Sequence, residues 1–164
     1  LLGGPQCGII AGRKALVDRL RTHPLMRALR ADKITYAILE ATLAEYAAGR
    51  AAATIPVQQM LHASADDLEA RTQVLAERLA AAGWQVAMIG GSSAVGGGSA
   101  PGLELPTVLL SIRRHDEPPN VTERWLRGLD PPVVARIEHE RVVLDLRTVL
   151  SGQDELLSTL LGPA

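Results

Sequence analysis

Arg27 and Arg30, three residues apart in Pro24-Leu-Met-Arg-Ala-Leu-Arg30, are the first residues whose type and spacing suit chemistry. One helical turn would set both guanidiniums on one face, where two planar forks could grip a phosphate. The same spacing also describes two solvated surface arginines. Val95-Gly-Gly-Gly-Ser99 offers backbone N–H groups to an anion. It lacks the Lys-Ser/Thr ending of a P-loop and the strand-to-helix setting of a dinucleotide fingerprint, so a plain strand connection is the alternative. Arg136, a charge inside the apolar run Pro131-Pro-Val-Val-Ala-Arg-Ile137, is expected to face an anion. That anion is either a ligand or a local carboxylate such as Glu138 or Asp145. Asp145 and Arg147 alternate with apolar residues, as on a half-buried edge strand. Four histidines, His23, His62, His115 and His139, have no partner at metal-ligand spacing. The single cysteine, Cys7, cannot close an internal disulfide and is expected as a small buried residue on a strand.

The elements that must carry these residues follow from apolar periodicity and capping. Leu1 to Gln6 read as a loop of backbone-permissive residues, Cys7 to Ala11 as a short buried strand, and Arg13 to about Arg21 as a helix ended by His23-Pro24. Asp32 is placed to cap a long helix through Ala48, with Gly49 as its stop. Such a helix could bridge two domains. Residues 50–63 read as a connection with a short helical piece, and Ser64 caps a helix to about Ala82 with Leu68, Val74, Leu75 and Leu79 inward. Strands are expected over Trp84–Ile89 and Pro106–Ile112, and a short helix over Asn120–Gly128. A hairpin of Val133–Ile137 with Arg141–Leu146 should turn at His139-Glu140, before a last helix opened by Ser151. This order predicts a small α+β domain from about residue 56, with helices against one face of an antiparallel sheet.

Composition bounds the class. The chain has 164 residues, 47% of them apolar, a net charge of −1 and no Phe, so its core must be aliphatic. No apolar run approaches the roughly 18 residues of a membrane span, and no segment reads as a secretion signal, so a cytoplasmic protein is expected. Near-neutral charge counts against a dedicated nucleic-acid module. Arginine is a partial exception, since Lys14 and Lys33 are the only lysines among 17 basic residues.

In four blocks the chain resembles bacterial selenocysteine synthase, the L-seryl-tRNA(Sec) selenium transferase family. The blocks are Leu1-Leu-Gly-Gly-Pro-Gln-Cys-Gly-Ile-Ile-Ala-Gly-Arg-Lys14, Pro24 to Lys33, Val95 to Pro106, and Pro131 through Val149. The resemblance implies an α/β enzyme of the aspartate-aminotransferase class (fold type I). Residues 1–50 would be the end of the cofactor-binding large domain and a domain-linking helix, and residues 51–164 the carboxy-terminal small domain. It implies pyridoxal 5'-phosphate, held by a Schiff-base lysine expected just before Leu1. The implied reaction turns seryl-tRNA(Sec) into selenocysteinyl-tRNA(Sec), with selenophosphate as selenium donor, in a cytoplasmic homo-oligomer that does not cross a membrane. This chain alone would be inactive.

By the same resemblance Arg27 and Arg30 match active-site arginines and would form the anion clamp for the donor or for a phosphate of the tRNA end. Gly4 and Gln6 fall in a loop that approaches the cofactor phosphate in related enzymes. Arg136 could stand where aminotransferases bind a substrate carboxylate, although an esterified seryl group carries no such charge. Two other readings stand beside this one: a related pyridoxal-phosphate lyase acting on a small amino- or sugar-acid, and a non-catalytic interaction domain.

Overall fold

The computed structural model describes residues 1–96, 100, 102–114 and 116–163. Gly97 to Ser99 of the glycine run, and His115, lie outside the described residues. The chain divides into two compact units, Leu1–Gln58 and Gln59–Ala164. The segment after Gly49 folds back within the first unit. Arg50 and Thr54 both donate to the Glu45 carboxylate, and Ile55 is buried.

The first unit holds α1 (Lys14–Thr22), a 3₁₀ turn (Pro24–Arg27), α2 (Lys33–Ala47), α3 (Ala51–Thr54) and the start of α4 (Pro56–His62). His23 takes extended dihedrals and ends α1, as a residue before proline must, and its ring Nδ1 accepts from the Leu25 N–H. Asp32 caps α2 by accepting from the Thr35 N–H at 2.7 Å. Residues 7–11 form no strand, and Cys7 is exposed. A strand needs a ladder partner, and the described sheet lies wholly in the second unit. Apolar side chains remain uncovered on this unit: Ile10 is 69% exposed, Leu29 73% and Ile34 71%.

The second unit is an antiparallel sheet packed with helices, as the order of elements predicts. Strands β1 (Gln85–Ala94), β2 (Glu104–Arg113), β3 (Arg136–Glu138) and β4 (Arg141–Asp145) lie in the order β1-β2-β4-β3, all neighbours antiparallel. Helices α5 (Ala65–Ala81), α6 (Pro119–Arg127) and α7 (Asp154–Leu161) add side chains to the same core. Ser64 caps α5 through the Asp67 N–H. The inward stripe of α5 is Leu68, Thr72, Leu75, Ala76 and Leu79, whereas Val74, expected inward, is half exposed because it falls off that 3.6-residue stripe. Leu110, Ile112, Val142 and Leu144 meet this stripe with Trp84, Leu126, Leu157 and Leu161.

β4 is an interior strand, not the edge strand expected for Asp145 and Arg147, because β3 folds back outside it. Arg147 lies beyond β4 in a 3₁₀ turn and is buried. The hairpin turn places His139 at φ 48° and Glu140 at φ 61°, the left-handed region that disfavours side chains with a Cβ. Glu140→Gly is therefore expected to stabilise this unit by about 0.5–1 kcal/mol, read as a higher urea midpoint, because relief of the left-handed cost exceeds the extra chain entropy of glycine.

Candidate active site

Leu1 to Gly4 have no regular structure, yet every one of them is met by a residue of the helical segment Thr42–Gln58. The Gln58 carboxamide donates to the Leu1 carbonyl at 2.7 Å, and the Tyr46 hydroxyl donates to the Leu2 carbonyl at 2.9 Å. Gly3 has φ +83°, and a Cβ there would stand 2.4 Å from the Ile55 Cγ2. A Cβ on Gly4 would stand 2.9 Å from the Thr42 Oγ1. The two glycines thus serve close approach of the loop to α2 and to the Ile55–Val57 segment, a role internal to the chain. Gln6 follows, exposed and with no hydrogen-bond partner among the described residues.

Arg27 ends the 3₁₀ turn and Arg30 falls beyond it, so the three-residue spacing does not set the pair on one helical face. Pro24 starts a turn of only four residues, closed by the Ala28 N–H on the Leu25 carbonyl. Both guanidiniums are exposed, and neither has an ion-pair or hydrogen-bond partner among the described residues. They contrast with Arg50, whose Nη2 meets Glu45 at 2.6 Å. The Arg50 guanidinium, and after it the Thr54 hydroxyl, hold the Glu45 carboxyl below its ordinary value of 4.5. The small stabilisation from that group is present above the ordinary value and lost as pH falls through the lowered one.

Charge is divided as unevenly as structure. Residues 1–58 carry eight Lys and Arg against four Asp and Glu, while residues 59–164 carry nine against fourteen. The chain-wide net charge of −1 conceals a basic first unit, in which Arg27 and Arg30 lie.

In the second unit Arg136 takes the local alternative. Its Nε meets Glu138 at 3.2 Å, and its Nη2 meets Asp145 at 3.7 Å. Two carboxylates compensate its charge, which removes the main reason to expect a ligand carboxylate there. The Asp145 carboxylate also accepts from the Ser93 and Thr107 hydroxyls and from the Arg147 N–H. Beside this cluster lies a hollow of about 590 Å³, walled by Pro131, Val133, Leu156 and Leu160. A second hollow of about 940 Å³ carries both signs of charge, Arg113 and Arg141 against Asp116, Glu117 and Glu140. No group of three or more His, Cys, Asp and Glu among the described residues could hold a metal ion. No helix among them is long and apolar enough to cross a membrane.

No local pattern in the sequence points to Tyr46 or Gln58. Their acceptors lie 44 and 57 residues away, a separation with no local signature.

A helical unit with basic excess and unpaired arginines, next in the chain to an α+β unit with an antiparallel sheet, makes this an α/β protein with no three-residue metal-ligand cluster among its described residues. The particular family follows from comparison. The family model described as L-seryl-tRNA selenium transferase matches residues 1–150, and this chain belongs to that family. It is 47% identical over 154 residues to an L-seryl-tRNA(Sec) selenium transferase of Geobacter sulfurreducens, covering 92% of this chain and 33% of that protein. It is 44% identical over 153 residues to the one of Nitratidesulfovibrio vulgaris, covering 91% and 33%. Against that of Carboxydothermus hydrogenoformans it is 39% identical over 163 residues, covering 98% and 35%. The chain therefore spans about a third of the length of these curated relatives. The matches do not favour the lyase or the interaction domain.

Proposed function

We propose that this chain is the carboxy-terminal part of a pyridoxal-phosphate transferase of fold type I that converts seryl-tRNA(Sec) to selenocysteinyl-tRNA(Sec) with selenophosphate as donor. The observation that carries the reading is the family match over residues 1–150. The enzyme would be a cytoplasmic homo-oligomer, and the uncovered apolar side chains of the first unit suit association.

Neither lysine of this chain suits the role of cofactor carrier. Lys14 is engaged with Asp18 on the exposed side of α1, and Lys33 stands exposed at the first position of α2. The carrier is instead the lysine proposed to precede Leu1. When bound, pyridoxal phosphate supplies an electron sink for loss of the seryl hydroxyl. What this chain brings is anion binding. The unpaired guanidiniums of Arg27 and Arg30 fit a phosphate-bearing donor, and the exposed carboxamide of Gln6, beside Gly4, fits a polar contact to the cofactor. Arg136, held by two carboxylates, is left with a structural role.

The full-length protein, purified with cofactor, is expected to show the absorbance band of a lysine-bound pyridoxal phosphate, and these 164 residues alone are expected to show none. Absence of the band from the full-length protein would overturn the reading.

A further inference from the structure

The first four residues are held more firmly than a surface loop requires. Leu1 and Leu2 are exposed residues, and main-chain carbonyls of such a segment are ordinarily left to water. Instead two side chains from distant helical positions each take one of two consecutive carbonyls, Gln58 at 2.7 Å and Tyr46 at 2.9 Å. The next two residues are glycines pressed against Ile55, Val57 and Thr42 more closely than any Cβ would permit. Hydrogen bonds to hydrated groups add little net stability, so the main consequence of this arrangement is placement. The main chain of Leu1–Gly4 is referenced to α2 and α4.

We infer that Tyr46 and Gln58 are positioning residues for the cofactor-bearing lysine, fixing the backbone from which that side chain projects. This rests on the function proposed above, which puts the lysine immediately before Leu1. A lysine amino group sits on a long, flexible stem, so it is only as well placed as the backbone beneath it. Displacement of a reacting group by about 1 Å can cost on the order of a hundredfold. Tyr46 and Gln58 touch neither cofactor nor substrate in this account; they act through the carbonyls of Leu1 and Leu2.

The test uses the full-length enzyme. Tyr46→Phe removes one donor and keeps the ring, and Gln58→Met removes the other at similar length. Each variant, freed of cofactor, is titrated with pyridoxal phosphate, and the pH midpoint of the lysine-bound absorbance band is then followed. The expected result is cofactor affinity about tenfold weaker in each variant and a displaced pH midpoint, with the thermal midpoint of the cofactor-free protein nearly unchanged. A purely structural role would lower the thermal midpoint and leave the band's pH midpoint in place. Should Gln58→Met destabilise the protein, Tyr46→Phe decides by itself. Wild-type affinity and pH midpoint in Tyr46→Phe would overturn the positioning role and leave the family chemistry standing. No band in the wild-type enzyme would overturn both.

Discussion

Replacing Arg27 or Arg30 by alanine in the full-length enzyme is expected to lower selenium transfer by on the order of a hundredfold, the range seen when a preorganised donor to a reacting anion is removed. Lysine at either position keeps the charge and loses the planar two-donor fork, so a smaller loss of about tenfold, ~1.4 kcal/mol, is expected. Folding should not confuse the result. Both side chains are exposed and unpartnered among the described residues, and surface substitutions of that kind usually stay within about 0.5 kcal/mol. The measurement is steady-state turnover of seryl-tRNA and selenophosphate, with the cofactor band as control. Normal turnover in both alanine variants would make these arginines mere surface residues. Loss of the band would assign them to the cofactor or the fold instead.

The second large effect is on stability and concerns Arg147. Its guanidinium is buried and donates to three main-chain carbonyls, those of Met60 and Ala63 at 2.9 Å and of Pro106 at 2.7 Å. One side chain thereby ties the start of the second unit to β2 and to the turn after β4. Its Nε has no hydrogen-bond partner among the described residues. Arg147→Ala leaves three acceptors without their donor and opens a void, for which about 3 kcal/mol of destabilisation is expected. Arg147→Lys should recover only part of this, since one ammonium cannot reproduce a planar fork aimed at separate carbonyls. Urea unfolding of the 164-residue chain, followed by tryptophan fluorescence, checks the prediction. Trp84 and Trp125, the only two tryptophans, both lie in the second unit, so the signal reports that unit. A shift of the midpoint worth under about 1 kcal/mol would mean that water replaces the guanidinium without loss.

The two arginines illustrate opposite limits of sequence reading. Arg27 and Arg30 were legible because a pair at short spacing is a local pattern, although the turn carrying them proved too short to contain both. Arg147 reads from sequence as an edge-strand residue because alternation with Leu144 and Leu146 says which way side chains point, while only sheet order says how deep they lie. Cys7 and its neighbours failed for a related reason. An apolar run of strand length reads as a strand whether or not a partner exists, and this unit supplies none among the described residues.

What the sequence determined by itself was local: the caps Asp32 and Ser64, the stops at His23 and Gly49, the hairpin about His139-Glu140, and the four blocks by which the family is recognised. Each depends on residues within a turn or two of one another, where backbone dihedrals and single hydrogen bonds settle the outcome. Tertiary structure alone decided that Arg136 is compensated by Glu138 and Asp145, that Arg147 is buried, and that Tyr46 and Gln58 reach the carbonyls of Leu2 and Leu1. The Arg136 partners are near in sequence, and the structure only chose them over a ligand; the other contacts join residues dozens of positions apart, and a contact across such a separation is set by how whole elements pack, a property no short window of sequence contains.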